Sequence, residues 1–221
     1  MLRNCLLGLG LALLVVSVAG AQDNFVKGGV AGVSGLHGRT VLPPSLFTNC
    51  GTGCTSYNTG SGYYVTGTGI SVGTGQTLAM GFSATKATKF VKALSPNTVY
   101  TANGGASSGK MSAFLLNGSA STGPTTLRAK LVQHGTIPDY PSISVIRYTL
   151  KKGAKPVTFK AKTTYFLCET EPVANVQLLW MLSNSDLTSP FWFQDLDSCT
   201  AKGLVWNNAT GAVNGSAFEI N

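Results

Sequence analysis

The chain has 221 residues and a formal net charge of +8, yet only 11% of it is charged and 27 residues are glycine. Few charges with abundant Gly, Thr and Ser argue for turns and strands over helices, and the length is enough for one sizeable core. The modest positive field reads first as an ordinary soluble surface with no anionic ligand, and otherwise as a contact for an acidic polysaccharide or membrane surface; nucleic acid is poorly suited to an exported chain without a recognition module.

Taken in chain order, residues 1–21 read as a secretory signal peptide: Arg3, an uncharged apolar run over residues 6–18, and an Ala19-Gly20-Ala21 cleavage site that puts the mature start at Gln22. Cys5 precedes the apolar run, so it is not a lipoprotein cysteine. No second long apolar segment follows, which implies no membrane span after cleavage and a secreted, extracellular or periplasmic protein. Residues 22–62 read as an irregular Gly-rich lead-in with one or two short strands, and residues 63–221 as the folded domain.

Strands are predicted at residues 77–82, 89–94, 110–116, 127–131 and 157–161 from alternation with a period of two. Residues 143–150, 164–168, 176–182, 191–194 and 217–220 complete the set. Residues 176–182 are apolar enough for a helix, but a run so short is better read as a buried strand. Turn signals stand at Ser95-Pro96-Asn97, Asn103-Gly104-Gly105, Asn117-Gly118, Lys152-Gly153 and Asn214-Gly215. The expected fold is all-β: an antiparallel, jelly-roll-like β-sandwich.

The residues that could carry chemistry point away from catalysis. Gly105-Ala106-Ser107-Ser108-Gly109 has the form of a nucleophile elbow, but no acid lies between Ser107 and His134 and the following segment reads as a strand. His37 and His134 do not have metal-ligand spacing to Cys50 and Cys54, so no zinc or other cofactor is expected. Glu169 and Glu171 share a strand face if extended, as do Asp195 and Asp197, which read as a solvated loop, with Ca²⁺ binding as the alternative. A glycosidase needs two carboxylates opposed across a cleft, which a sequence does not show.

The four cysteines left after cleavage allow three pairings. Cys50 with Cys54 and Cys168 with Cys199 rank first, since Gly51 and Gly53 permit a tight turn. The crossed pairings would tie the lead-in to the C-terminal third. Trp180, Trp192 and Trp206 are the candidate sugar-stacking residues, against the alternative that they fill the core. Alternation in Phe191-Trp192-Phe193 sets Trp192 on the opposite face from both phenylalanines, so Trp192 is expected to be the most exposed tryptophan. Lys151, Lys152 and Lys155 mark a basic hairpin, read either as a guarded sheet edge or as an anionic-glycan contact.

The order of segments also resembles a known family. The carrying motifs are Leu78-Ala79-Met80-Gly81-Phe82-Ser83, then residues 111–116 with Gly118-Ser119 and Thr122-Gly123-Pro124. Residues 157–162, Thr163-Thr164-Tyr165-Phe166-Leu167, Trp180, Trp206 and Gly215-Ser216-Ala217-Phe218-Glu219-Ile220 follow. Over residues 60–220 this resembles the bacterial choice-of-anchor R type of exported domain. Phe166 stands where that family usually has Trp, and no sorting helix or basic tail follows Ile220. The resemblance implies a β-sandwich at the cell surface with no catalytic residue to carry over. The expected role is therefore non-catalytic, binding or structural at the cell surface or in the matrix, toward carbohydrate or an anionic surface polymer. The competing reading is a polysaccharide lyase or glycosidase of sandwich fold.

Overall fold

The computed structural model describes residues 45–67, 76–100, 109–184, 189–194, 198–200, 204–210 and 214–221. The expected signal peptide, Ser107, His37, Asp195 and Asp197 lie outside the described residues. Among the described residues there is no helix, and the strands run in chain order as follows. The first seven are β1 (Phe47–Thr48), β2 (Tyr57–Thr66), β3 (Thr77–Ser83), β4 (Thr88–Lys89), β5 (Ala93–Val99), β6 (Ser112–Ser119) and β7 (Gly123–His134). The rest are β8 (Ser144–Leu150), β9 (Thr158–Phe159), β10 (Thr164–Thr170), β11 (Gln177–Ser183), β12 (Phe191–Gln194), β13 (Asn207–Asn208) and β14 (Glu219–Ile220).

The strands pair antiparallel into two facing layers that share one long strand. The first half of β7 pairs with β6, from Ser119 opposite Gly123 to Phe114 opposite Lys130. Its last four residues pair with β8 instead, from Leu131 opposite Leu150 to His134 opposite Arg147. One layer therefore runs β7–β6–β10–β3–β12–β13. The other contains β7, β8, β5, β11 and β2, with β14 and β1 beside the start of β5. The expected all-β sandwich is what forms.

Alternation builds the interior. Leu178, Trp180 and Leu182 from β11 meet Leu78, Met80 and Phe82 from β3, with Tyr165 and Leu167 from β10. Leu115 and Ala113 join them from β6, as the period of two in residues 110–116 predicts. Phe82, Phe159, Tyr165 and Phe218 meet ring to ring within it. Burying such side chains supplies the main stabilisation, about 1.5–3 kcal/mol for each large apolar group.

Several expectations need correcting. Ser95-Pro96-Asn97 is not a turn but the middle of β5. Pro96 stands where β5 changes neighbour, from β14 at Ala93 and Leu94 to β11 at Asn97 to Val99, so its missing N–H interrupts no continuous ladder on that side. Asn117-Gly118 is likewise inside β6, and the chain reverses at residues 120–122. Gly118 is there because a Cβ would sit 2.6 Å from the Phe166 ring, which lies across it. Residues 89–94 divide between β4 and β5. The lead-in boundary at residue 62 falls inside β2, and β1 pairs with β14, so residues 45–62 belong to the sandwich.

Candidate functional site

Two of the three tryptophans are not available to a ligand. Trp180 is fully buried and donates its Nε1–H to the Ala217 carbonyl at 2.7 Å, beside the Phe218 ring. Trp192 does leave the interior face, as its alternation with Phe191 and Phe193 requires, but it is only 6% exposed. The outer face it occupies carries a second apolar layer of Ala79, Leu116, Phe166, Trp192 and the Cys168–Cys199 bridge, with Phe114 and Trp206 packed against it. The Trp192 ring lies against Gly123, where a Cβ would come within 2.8 Å of it. Trp206, half-buried, is the most exposed of the three, which corrects the expectation for Trp192. Alternation identifies a face; it does not say whether that face is covered.

The cysteines pair as ranked first, Cys50 with Cys54 at a Cα separation of 4.6 Å and Cys168 with Cys199 at 6.1 Å. Bridged, Cys50 and Cys54 offer no thiolate to a metal. Gly51 and Gly53 both have φ +74°, and this turn aims the Gly53 and Cys54 backbone N–H groups at the Glu219 carboxylate. Asn221 Nδ2 donates to the same carboxylate at 2.7 Å.

The other two described glutamates are also buried. Glu171 accepts from the Val173 N–H at 2.7 Å. Glu169 projects from β10 into the sandwich interior, where Ser95 Oγ of β5 donates to it at 2.5 Å and Asn97 Nδ2 donates to Ser95 Oγ at 2.7 Å. Burial pushes the Glu169 carboxyl up to about 8, and Ser95, Asn97 and Tyr148 pull it back only in part. The fully buried Tyr148 hydroxyl is raised well above its ordinary range, first by burial and then by the charge of Glu169. His134, exposed on β7, shares a hydrogen bond with Thr149 Oγ1 at 2.7 Å.

A surface groove that no sequence pattern announces lies on the outer face of the β2–β11–β5 layer. Leu178 and Trp180 point inward, so Leu179 and Met181 of β11 point outward and form its floor. Tyr64 of β2 stands opposite Leu179, and on the other side Tyr100 N–H, just past β5, donates to the Gln177 carbonyl at 2.7 Å. Tyr140 N–H donates to the Val99 carbonyl at 2.9 Å, which brings a third ring alongside. The Tyr64 and Tyr100 centroids are 5.9 Å apart, as are those of Tyr100 and Tyr140. Gly62 completes the floor, since a Cβ there would meet the Trp180 carbonyl oxygen at 2.9 Å.

The groove contains about 280 Å³ of empty space open to solvent, and among the described residues no charged side chain lines it. It is a shallow surface depression and not an enclosed pocket of the kind that surrounds a small ligand, so a partner would lie on it as on a platform. Burial, followed by the neighbouring Tyr100 phenol, raises Tyr64 above its ordinary range. Its hydroxyl is a protonated donor at any physiological pH.

Lys151, Lys152 and Lys155 are all exposed. The expected turn is present, with Gly153 at φ +82° and the Ala154 N–H bonded to the Lys151 carbonyl at 2.9 Å. It does not close a β8–β9 hairpin, however: β9 pairs with β4, Thr88 opposite Phe159 and Lys89 opposite Thr158. Among the described residues no helix is long and apolar enough to cross a membrane.

Comparison of the chain with protein-family models, curated proteins and solved structures finds no match, and nothing in them identifies a choice-of-anchor domain.

Proposed function

We propose that this chain is an exported, non-catalytic β-sandwich that binds carbohydrate at the cell surface or in the extracellular matrix, akin to the choice-of-anchor domains its strand motifs resemble. The observation that carries the reading is the row of Tyr64, Tyr100 and Tyr140 over an apolar floor, with no charged side chain among its described lining residues. Aromatic faces take up the C–H faces of a sugar ring, while phenol hydroxyls offer hydrogen bonds at its rim. The Glu169, Glu171 and Glu219 carboxyls are buried, and none lines this groove, which supports binding over hydrolysis. Two disulfides and the apolar leader sequence support export into an oxidising compartment.

A glycan array that includes neutral polysaccharides, probed with the mature chain and with Tyr140→Ala, tests the proposal. Tyr140 is 38% exposed, so its truncation leaves the fold intact. The expected result is binding to at least one neutral glycan, weakened about ten-fold in the variant, the scale of losing one aromatic contact. No neutral binding by the parent chain, or equal binding by both proteins, overturns the assignment.

A further inference from the structure

The β4–β9 ribbon brings together lysines that are far apart in the chain. Residues 84–92 and 151–162 lie side by side through four backbone contacts. Lys162 N–H donates to the Ala84 carbonyl, Thr88 faces Phe159, Lys89 faces Thr158, and Phe90 N–H donates to the Val157 carbonyl. These two segments contain eight lysines and no carboxylate. Phe90 and Phe159 are turned inward and buried, which leaves Lys89 and Lys160 facing solvent. In an antiparallel ladder with Lys89 opposite Thr158, the residue two beyond Thr158 is a diagonal neighbour on the same face. Arg128 donates from its guanidinium to the Thr158 carbonyl and adds its charge behind the ribbon.

We propose that this lysine ribbon is a docking surface for an acidic polysaccharide, one with a carboxylate on each successive sugar. Charge complementarity carries the assignment: a cluster of cations with no acidic side chain in either segment matches a chain of regularly repeated anions. Two other polyanions fit less well. The exposed large apolar side chain on the ribbon is Val91 alone, too little to enter a bilayer. Both ribbon phenylalanines are buried, so no aromatic face is offered to unstacked bases. The choice of a glycan rests on the carbohydrate reading of the tyrosine groove, whereas the position of the site does not.

The test is titration of the mature chain with an oligogalacturonate by calorimetry, at about 0.05 M and about 0.3 M NaCl. Expected are binding at low salt, a loss of about ten-fold or more at high salt, and a further loss of about ten-fold in Lys89→Gln/Lys160→Gln. Lys110→Gln, exposed just before β6 and so at the end of that strand remote from the ribbon, is expected to change affinity less than about two-fold. Equal losses in the two variants overturn the proposal. So does salt-independent binding, or tighter binding to phosphatidylglycerol vesicles or oligothymidylate than to oligogalacturonate. Tyr140→Ala is expected to keep its oligogalacturonate affinity, so a failure here is distinguishable from a failure of the groove.

Discussion

At the level of single residues, Glu169 is an acid held where its charged form is disfavoured. Its carboxyl is fully buried between the two layers, and one of its oxygens, Oε2, has no hydrogen-bond partner among the described residues. An ionised carboxylate there would lack water and a counter-charge, so the proton is retained up to about pH 8. The unfolded chain releases the same proton near 4.5. A pKa raised on folding gives stability that is complete below the unfolded value and lost as pH rises through the folded one. Stability should therefore fall between pH 4.5 and about 8, by about 1.4 kcal/mol for each pH unit from this group. Urea midpoints taken across that range check the slope. Glu169→Gln should flatten it and should be the more stable form at the alkaline end; a slope unchanged in the variant would assign it to other groups.

At the level of elements, the outer face of β3, β10 and β12 shows what residue patterns do and do not reveal. The period of two read the faces of residues 110–116 and 191–193 correctly, because each strand has one side in the interior. It did not reveal the cover over Trp192, because that cover includes Cys199 and Trp206, held there by tertiary contacts. Pro96 and Gly118 misled for a related reason: their backbone properties serve a change of neighbour and a close ring contact as well as they serve a turn. Tyr64, Tyr100 and Tyr140 stand on separate segments, and only the pairing of β2, β11 and β5 makes them neighbours. The same holds for Lys89 and Lys160 on β4 and after β9.

The Cys168–Cys199 bridge spans a sequence separation of 31 and Cys50–Cys54 one of 4. Loop-closure entropy makes the first worth about 3–4 kcal/mol and the second about 2. Replacing the Cys168 and Cys199 pair by alanine should accordingly lower the unfolding free energy more than replacing the Cys50 and Cys54 pair, measured by urea under non-reducing conditions. Gly118→Ala should be costly as well, by about 2–4 kcal/mol, since its Cβ would lie 2.3 Å from the Gly123 carbonyl oxygen.

At the level of the whole molecule, charge is unevenly spent. The three described glutamates are inside, and Asp139 is the exposed carboxylate among the described residues, while the lysines face solvent. Such a surface repels itself, and salt relieves the repulsion. Raising NaCl from about 0.02 M to about 0.3 M should raise the thermal midpoint, by a few degrees for about 1 kcal/mol relieved in a domain of this size. A midpoint that is flat or falls with salt would show the repulsion to be negligible. Continuity between the layers comes from β7, whose two halves pair with β6 and β8.

The meeting of β1 with β14 has a mechanical consequence. Leu46 N–H bonds to the Ile220 carbonyl at 2.7 Å, Phe47 faces Ile220 and Thr48 faces Glu219. The two ends of the described chain thus emerge side by side from one antiparallel pair. A load applied through both would open that pair like a zip, one hydrogen bond at a time, instead of shearing several together. Fastened at one end only, the sandwich would carry no tension at all and would hang as a rigid bead from its tether, with tyrosine groove and lysine ribbon undistorted by the pull.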